Sequence, residues 1–483
     1  MVTMLVLALA CTPGDPASAT SDTSPRDSVP ADSHPPDSDP PDSDPPAVPP
    51  NVLLVVLDDI GVDKVGAYNP YGTAPPTPTL DALAERGVVF ENAWVYPGCT
   101  PTRAALLTGR HGYRTGLGRV LTPEVGTHWL LEDEVTVPEV LAGAGYTSAA
   151  IGKWHLVAWE AEEPAEHPRR QGFGTFRGLL ANVHQTLVSS EEGLSYWYWE
   201  KVVDGTTAFE STYLTTDQAD DVLALTGELP EPWFVYASFT APHDPFHAPP
   251  EELVSEPPEE GASIAQLHHA MVESVDSELG RVFDAMDPEV AARTLVVLLG
   301  DNGTPRDATV EPADPERVKE TLYDGGVNVP MLVAGPGVAP GRTEALVHAV
   351  DLLPTLAELA GVDLTGLTRT EGEQAGELVT LDGVSWLPVL SGGEGSREHL
   401  HVEMLHPLTT GAYEVEHYAV RSATHKLIRY DGGGEQLFRY DDGEPDEGPD
   451  RLAERSEDAE LAAAYEALAA ELERWRGGLA YGP

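Results

Sequence analysis

The stretch "VLLVVLDD", residues 52–59, places six consecutive apolar residues directly before two aspartates. An unbroken apolar run of this length predicts a strand buried on both faces, as in a parallel sheet. The same form recurs in "TSAAI" (147–151), "WFVYASF" (233–239) and "TLVVLL" (294–299). Amphipathic stretches that predict helices lie between or after these runs, at 79–87, 135–145, 264–286 and 349–361. The alternation indicates an α/β fold with a large, mainly parallel sheet flanked by helices.

The pattern changes near residues 390–398. From there, short strand-like runs are joined by turn residues, which indicates antiparallel pairing: "EHLHVEML", "YAVRSAT", "HKLIRYD" and "EQLFRYD". A helix is predicted over roughly 457–476. We therefore expect a large α/β domain over 51–395 and a smaller antiparallel subdomain with a helix over 396–483.

The N-terminal residues predict export. Residues 1–11 consist of a short apolar run followed by Cys11, as in a lipoprotein signal whose cleavage leaves an acylated cysteine. No Lys or Arg precedes the run and Ala8 stands where such signals carry Leu, so a plain secretory signal or a misplaced start codon stays open. Residues 12–50, rich in Pro, Asp and Ser, predict a disordered linker. We expect a periplasmic or cell-surface protein, with membrane contact only through a lipid on Cys11.

The charge of the chain restricts its partners. The formal net charge is −52, and residues 12–50 hold only eight Asp and one Arg, so most of the charge must lie on the folded part. Such a surface repels nucleic acid and anionic lipid. There are five lysines in the chain, and two of them, Lys153 and Lys319, lie in the motifs described next.

Polar clusters follow each predicted parallel strand: Asp58-Asp59, Lys153 with His155, His243, and Asp301-Asn302. Any one of these is typical of a turn or a helix cap. Four of them after strands of one sheet indicate a ligand site, because α/β sheets bind ligands beyond the carboxyl ends of their strands. The four oxygen-bearing residues predict a Ca²⁺ or Mg²⁺ site rather than zinc or copper. Together with Lys153, His155, His243 and Lys319, these oxygen-bearing residues predict a pocket that binds an oxyanion.

Cys99 is the remaining candidate. Pro101 favours the first turn of the helix that "TRAALLTG" begins, so Cys99 is predicted at a helix N-terminus, where unpaired N–H groups favour an anion.

The stretch "CTPTRAALLTGR" (99–110) resembles the signature of the type I sulfatases, Cys-x-Pro-x-Arg followed by Leu-Leu-Thr-Gly, with Thr102 where many members have serine. Similarity extends over most of 51–483, through "GKWHL", "APHDPFHAP", "GDNG", "KETLYDGGVNVP" and the closing "EQLFRYDDGEPDEGPDRLAE". The resemblance implies an alkaline phosphatase-like fold, with a large α/β domain and a smaller C-terminal antiparallel sheet.

The resemblance also implies roles. Cys99 would be oxidised to Cα-formylglycine by a formylglycine-generating enzyme, and its hydrate would attack the sulfur of a sulfate ester. One calcium ion would be held by Asp58, Asp59, Asp301 and Asn302 and would touch the hydrate. Arg103 and Lys153 would stabilise the hydrate. Lys319 and His243 would bind the sulfate group, His243 would protonate the leaving alcohol, and His155 would deprotonate the second hydroxyl so that sulfate is released.

Two alternatives remain open from the sequence: a formylglycine-dependent phosphonate monoester or phosphodiester hydrolase, and a non-catalytic binding protein of the same fold. The acidic surface favours small or sparsely sulfated carbohydrate or aryl substrates over a dense polyanion. The aromatic run "LSYWYWEKVVDG" (194–205) predicts either a sugar- or aryl-binding wall or a hairpin that packs its own rings. His268 and His269, in a predicted helix, are expected to be structural or surface residues.

Overall fold

The computed structural model describes residues 49–122, 128–186, 193–369, 374–409, 413–440 and 446–477. The predicted signal and nearly all of the linker lie outside the described residues, so lipidation at Cys11 stays a prediction. Within these ranges the strands are β1 Asn51–Leu57, β2 Val88–Trp94, β3 Thr147–Lys153, β4 Thr175–Leu179, β5 Trp199–Val203, β6 Thr206–Glu210, β7 Trp233–Phe239, β8 Thr294–Gly300, β9 Met331–Ala334, β10 Gly341–His348, β11 Leu400–His406, β12 Val415–Arg421, β13 His425–Arg429 and β14 Glu435–Arg439.

The α-helices in the same ranges are α1 Pro78–Arg86, α2 Cys99–Thr108, α3 Gly112–Thr115, α4 Val137–Ala142, α5 His167–Arg170, α6 Leu214–Glu228, α7 Ile264–Ala285, α8 Pro288–Ala291, α9 Asp324–Val327, α10 Leu352–Leu359, α11 Leu387–Leu390 and α12 Ala459–Gly477. Helix α4 is shorter than the predicted 135–145. It begins after a capping box formed by Thr136 and Glu139 and ends at Gly143, because glycine is a poor helix former. None of the described helices is long and apolar enough to span a bilayer.

The large sheet has the order β10-β2-β9-β8-β1-β7-β3-β4-β5-β6. Its central strands β8, β1, β7, β3 and β4 are parallel to one another, and β10 is parallel to β2. Strand β9 pairs antiparallel with β2 and β8, and β5 pairs antiparallel with β4 and β6. The four strands predicted from the apolar runs are therefore adjacent, in the order β8-β1-β7-β3. The predicted mainly parallel α/β sheet is confirmed.

Burial on both faces explains the continuous apolar runs. Every residue of β1, β7 and β8 is buried. Along β1, Val52, Leu54 and Val56 face a core shared with α2, α4 and α10, whereas the alternate residues face a core shared with α1, α6 and α7. Each fully buried Val or Leu side chain stabilises the fold by about 1.5–3 kcal/mol relative to exposure, so helices on both faces hold the central strands in place.

The C-terminal part forms a second sheet, antiparallel in the order β11-β12-β13-β14. Helix α12 packs on it through Leu461, Leu468 and Leu472, against strand residues such as Leu427 and Leu437. The predicted antiparallel sheet and its helix are confirmed, while the boundary between 395 and 396 stays a prediction.

Gly152 in β3 is required where β3 approaches β7. Its φ is 85°, and a Cβ atom there would lie 1.9 Å from the main-chain oxygen of Ser238. Gly145 has nearly the same φ, 84°, but a Cβ there would meet nothing within 4 Å. The two glycines therefore separate the cost of backbone conformation from the cost of a collision.

We expect Gly145→Ala to lower the free energy of unfolding by about 1 kcal/mol, the cost of a left-handed alanine. Gly152→Ala should lower it by roughly 3 kcal/mol or more, because β3 must also move away from β7. Urea unfolding of the full chain measures both. Equal losses in the two variants would show that the close approach of the strands is not the constraint.

Candidate active site

The carboxyl ends of four adjacent parallel strands meet at one edge of the sheet. Leu57 of β1 is in register with Gly300 of β8 and with Phe239 of β7, and Gly152 of β3 pairs with Ser238. The residues that follow these positions are the polar ones singled out from the sequence: Asp58 and Asp59 after β1, Asp301 and Asn302 after β8, His243 after β7, and Lys153 and His155 at and after the end of β3. The structure thus brings all four clusters together.

The oxygen-bearing residues at this edge, Asp58, Asp59, Asp301 and Asn302, are buried together, and three of them contact one another directly. The main-chain N–H of Asp59 donates to Oδ1 of Asp301 at 3.2 Å, and Nδ2 of Asn302 donates to Oδ1 of Asp59 at 2.8 Å. All four residues, Asp58 included, are at most 2% exposed. The side chains are therefore held in fixed positions away from water.

Two oxygens of this group suit a cation. Oδ1 of Asp58 and Oδ1 of Asn302 are buried and have no hydrogen-bond partner among the described residues. Buried oxygens without a donor are uncommon in folded proteins. Ligand atoms of Asp58, Asp59 and His243 lie within 4.8 Å of one another, as do those of Asp58, Cys99 and Asp301. Hard carboxylate oxygens at this spacing, together with the unpartnered amide oxygen of Asn302, fit Ca²⁺.

Three cationic side chains compensate the three carboxylates. Arg103 donates from Nη2 to Oδ2 of Asp301 at 2.7 Å, and Lys153 donates from Nζ to Oδ2 of Asp58 at 2.5 Å. Lys319 pairs with Oδ1 of Asp59. Arg103 and Lys153 are fully buried, so these contacts are screened little by solvent.

The charges shift the pKa values of the carboxyl groups in opposite directions. Burial alone would raise the pKa of Asp58, but the positive charges around it, above all those of Lys153 and Arg103, outweigh it and hold that pKa well below its usual value. Burial, followed by the negative charge of Asp58, raises the pKa of Asp301 to about 7. A further positive charge at this site would favour ionised Asp301.

Cys99 is the first residue of α2 and is 1% exposed, as predicted for a residue at a helix N-terminus. Its Sγ lies 3.3 Å from Nδ1 of His155. Burial raises the pKa of the Cys99 thiol, and the positive charge of Lys153 offsets only part of that effect. The unmodified side chain is therefore a neutral thiol at neutral pH, which is a weak nucleophile.

The orientation of His155 follows from its other ring nitrogen. Nε2 lies 2.9 Å from the main-chain oxygen of Leu121, which can only accept, so Nε2 carries the proton. Burial, with the nearby charge of Lys153, lowers the pKa of His155 well below its usual value, so the ring is neutral and Nδ1 has a free lone pair. That lone pair faces the side chain of residue 99.

His243 faces the carboxylates through its Nε2, which lies 3.9 Å from Oδ2 of Asp59. Its Nδ1 lies 2.9 Å from the main-chain oxygen of Asp244, so Nδ1 carries a proton. The hydroxyl of Tyr196 donates to the main-chain oxygen of His243 at 2.7 Å and holds this loop. Nε2 is therefore the nitrogen that can exchange a proton with a ligand.

Exposure of the side chains increases from one side of the cluster to the other. The side chains of Lys153 and Arg103 are 0% exposed, that of His243 is 6% and that of Lys319 is 14%. A ligand therefore reaches Lys319 and His243 first, and Cys99 lies deeper.

Sequence reasoning missed residues that support this cluster. Nη1 of Arg103 donates to the hydroxyls of Ser238 and Tyr236 and to the main-chain oxygen of Lys153. Ser238 and Tyr236 lie inside the apolar strand β7, and two hydroxyls on alternate residues of a buried strand were the available signal. His268, expected to be structural or on the surface, is fully buried against the main chain of Asp59.

The aromatic run 194–205 fits each of the two alternatives stated for it in part, because two of its rings are buried and two are exposed. Tyr196 and Trp199 are fully buried, and β5 and β6 form a hairpin. Trp197 is 45% exposed and Tyr198 38%, and Tyr198 stacks on Phe209 at 5.3 Å between ring centroids.

Comparisons with known proteins agree with this arrangement. The family model described as Sulfatase matches residues 50–362. Arylsulfatase A of Homo sapiens is 32% identical over 415 residues, which cover 78% of this chain and 76% of that protein. N-acetylgalactosamine-6-sulfatase of Sus scrofa is 28% identical over 341 residues, covering 65% of this chain and 63% of that protein. The crystal structure of Ps i-CgsB, also solved with k-i-k-neocarrahexaose, has a TM-score of 0.72 and 25% identity, covering 88% of this chain and 92% of that chain.

Removing Lys153 should strongly destabilise the metal-free protein. Lys153→Met leaves Asp58 buried without its nearest cation, and we expect a loss of roughly 3–5 kcal/mol in the free energy of unfolding. Lys201 is the matched control, because it contacts Asp217 at 2.5 Å and Asp221 at 2.6 Å but its side chain is 13% exposed, whereas those of Lys153 and Asp58 are 0% exposed. Lys201→Met should cost about 1 kcal/mol. Urea unfolding in a chelating buffer measures both, and similar losses would contradict the compensation described for Asp58.

Proposed function

The chain belongs to the sulfatase family of sulfuric ester hydrolases, and we propose that it hydrolyses a carbohydrate or aryl sulfate through Cys99 converted to Cα-formylglycine, with one bound calcium ion. The observation that carries the proposal is the position of Cys99. It lies buried at a helix N-terminus, with Nδ1 of His155 3.3 Å from its Sγ and carboxylate oxygens of Asp58 and Asp301 within 4.8 Å. A protonated thiol has little reactivity there, whereas a modified side chain would face every group it needs.

Calcium would be held by Asp58, Asp59, Asp301 and Asn302, and the unpartnered oxygens of Asp58 and Asn302 fit a hard cation. When bound, the ion lowers the pKa of the attacking hydroxyl and neutralises the oxygens of the sulfate group. The three carboxylates are already matched by Arg103, Lys153 and Lys319. A divalent ion would therefore give the pocket a surplus of two positive charges, which favours a sulfate anion.

Formylglycine would supply, as its hydrate, two hydroxyls on one carbon, one to attack sulfur and one to release sulfate afterwards. Nδ1 of His155 can accept the proton of the second hydroxyl, because Leu121 keeps the other nitrogen protonated. Arg103, fixed by Asp301 and β7, and the point charge of Lys153 would stabilise the negative charge that develops on residue 99.

His243 and Lys319 would act on the side where the ligand enters. Lys319 would bind the sulfate oxygens as a point charge. Nε2 of His243 would donate the proton that the leaving alcohol needs, since Nδ1 is held by the Asp244 main chain. The negative charge of a bound sulfate favours the protonated ring that this step requires.

The proposal extends to maturation and location. Conversion of Cys99 requires a formylglycine-generating enzyme as a partner. We also propose export to the periplasm or cell surface, with Cys11 as a lipid attachment site. The substrate proposal draws on relatives whose names refer to aryl and sugar sulfates, arylsulfatase A and N-acetylgalactosamine-6-sulfatase.

Mass spectrometry of the tryptic peptide 87–103 tests the nucleophile. Protein made with a formylglycine-generating enzyme should give a peptide lighter by the change from thiol to aldehyde, and sulfate release should follow the modified fraction. Cys99→Ala should lose at least about a thousandfold in kcat, because the nucleophile is absent. Turnover by protein with only unmodified Cys99 would contradict the proposal.

A substrate panel separates sulfate esters from the alternative phosphonates. We expect p-nitrophenyl sulfate to be hydrolysed with a much higher kcat/KM than p-nitrophenyl phenylphosphonate, because the phosphonate, also a monoanion, carries a phenyl group in place of one of the terminal oxygens that Lys319 and His243 would contact. At low salt, a monosulfated disaccharide should be hydrolysed faster than a densely sulfated polymer, which the acidic surface repels. The reverse order in either comparison would contradict the corresponding part of the proposal. Calcium binding without any turnover by modified protein would instead favour the non-catalytic alternative.

A further inference from the structure

The main chain turns sharply between the two adjacent aspartates after β1. Asp59 has a φ of 64°, in the left-handed region that residues other than glycine seldom adopt. In an extended strand, successive side chains point to opposite faces. The left-handed residue breaks that alternation, and ligand atoms of both Asp58 and Asp59 lie within 4.8 Å of each other and of His243. The unusual conformation is therefore what lets two neighbouring residues serve one site.

Both main-chain polar groups of Asp59 are used. Its N–H donates to Oδ1 of Asp301, which directly follows β8, the strand next to β1. Its oxygen, which is buried, lies 3.0 Å from Nε2 of His268. These two contacts hold the peptide groups on either side of the Asp59 Cα atom and so fix the direction of its side chain.

His268 comes from a different layer of the protein. It lies in α7, is 0% exposed, and its ring packs against Phe246 at 5.9 Å between ring centroids. A main-chain oxygen only accepts, so Nε2 of His268 must donate. Its Nδ1 is buried with no partner among the described residues, so the ring offers this one donated hydrogen bond.

We propose that His268 is a positioning residue, which donates to the main-chain oxygen of Asp59 and thereby holds the left-handed backbone that directs the Asp59 carboxylate into the cation site. The inference rests on the proposed calcium site and assigns a function to a helix that contributes no ligand. Nε2 of the next residue, His269, lies 3.2 Å from Nζ of Lys64, which is in the same segment between β1 and α1. Helix α7 thus contacts the loop at two points, and only the His268 contact bears on a proposed ligand.

Two nearly isosteric substitutions test the donated hydrogen bond. Gln and Met have unbranched side chains of similar length, but only Gln can donate. Calcium is titrated calorimetrically into metal-free full-length protein carrying His268→Gln or His268→Met. We expect His268→Met to weaken calcium binding roughly ten- to a hundredfold, as loss of an outer-shell partner does, and His268→Gln to stay within about threefold of the wild type. Sulfate release by His268→Met should be low at limiting calcium and should recover at saturating calcium.

Val275→Ala is the control for general loss of packing in the same helix. Val275 is fully buried in α7 and has no hydrogen bond to the loop. The Val275→Ala substitution should lower Tm and leave the calcium affinity unchanged. Equal weakening in His268→Gln and His268→Met would overturn the inference, because ring packing on Phe246 would then be the cause. Wild-type affinity in His268→Met would overturn it as well.

The two proposals fail in different ways. If the wild-type protein binds no calcium, the proposed metal site is wrong and the positioning role falls with it. If the wild type binds calcium and His268→Met binds it as tightly, only the role of His268 is wrong.

Discussion

The rest of the site depends on the compensation of three buried carboxylates by three buried or nearly buried cations. Unpaired, any one of these charges would destabilise the fold by several kcal/mol, because water is excluded from the cluster. Arg103 makes the most connections. It contacts Asp301 after β8, the Lys153 main chain at the end of β3, and Ser238 in β7. One side chain from a helix thus ties together the ends of three strands, so that the stability of the sheet edge and the geometry of the site have the same physical cause.

The parallel sheet explains why these groups can meet. Asp58 and Lys153 continue strands that are separated by β7 alone, and their side chains bridge across its end. In an antiparallel arrangement the carboxyl ends of neighbouring strands would lie at opposite edges of the sheet. The contact between Lys153 and Asp58 also depends on the close approach of β3 to β7 at Gly152, because a wider spacing of these strands would move Lys153 away from Asp58. Packing in the core therefore sets distances in the site.

Charge is distributed unevenly between surface and interior. The chain carries a formal net charge of −52, yet the described pocket gathers two of its five lysines and a buried arginine. An acidic surface around a cationic pocket discourages long polyanions from approaching and still lets a small anion be held once it enters. The increase in exposure from Lys153 to His243 and Lys319 gives the pocket a direction, with the groups proposed to bind sulfate outermost and the proposed nucleophile innermost.

The sequence by itself determined the four buried strands β1, β3, β7 and β8, the four strands of the small sheet, the helix that begins at Cys99, and the kinds of atoms at the strand ends. It did not predict β2, β4, β9 or β10, and it left a hairpin in the region of β5 and β6 as one of two alternatives. Continuous apolar runs such as 52–57 can only be buried, and acidic or basic residues directly after them must lie at the sheet edge. Tertiary structure alone decided which strands are adjacent, which nitrogen of His155 carries the proton, and that His268 supports Asp59. Each of these depends on contacts between residues far apart in the chain, such as His155 with Leu121 or Asp59 with His268. Local sequence patterns report burial and periodicity, whereas the partner of a single hydrogen bond is settled only when the layers pack together.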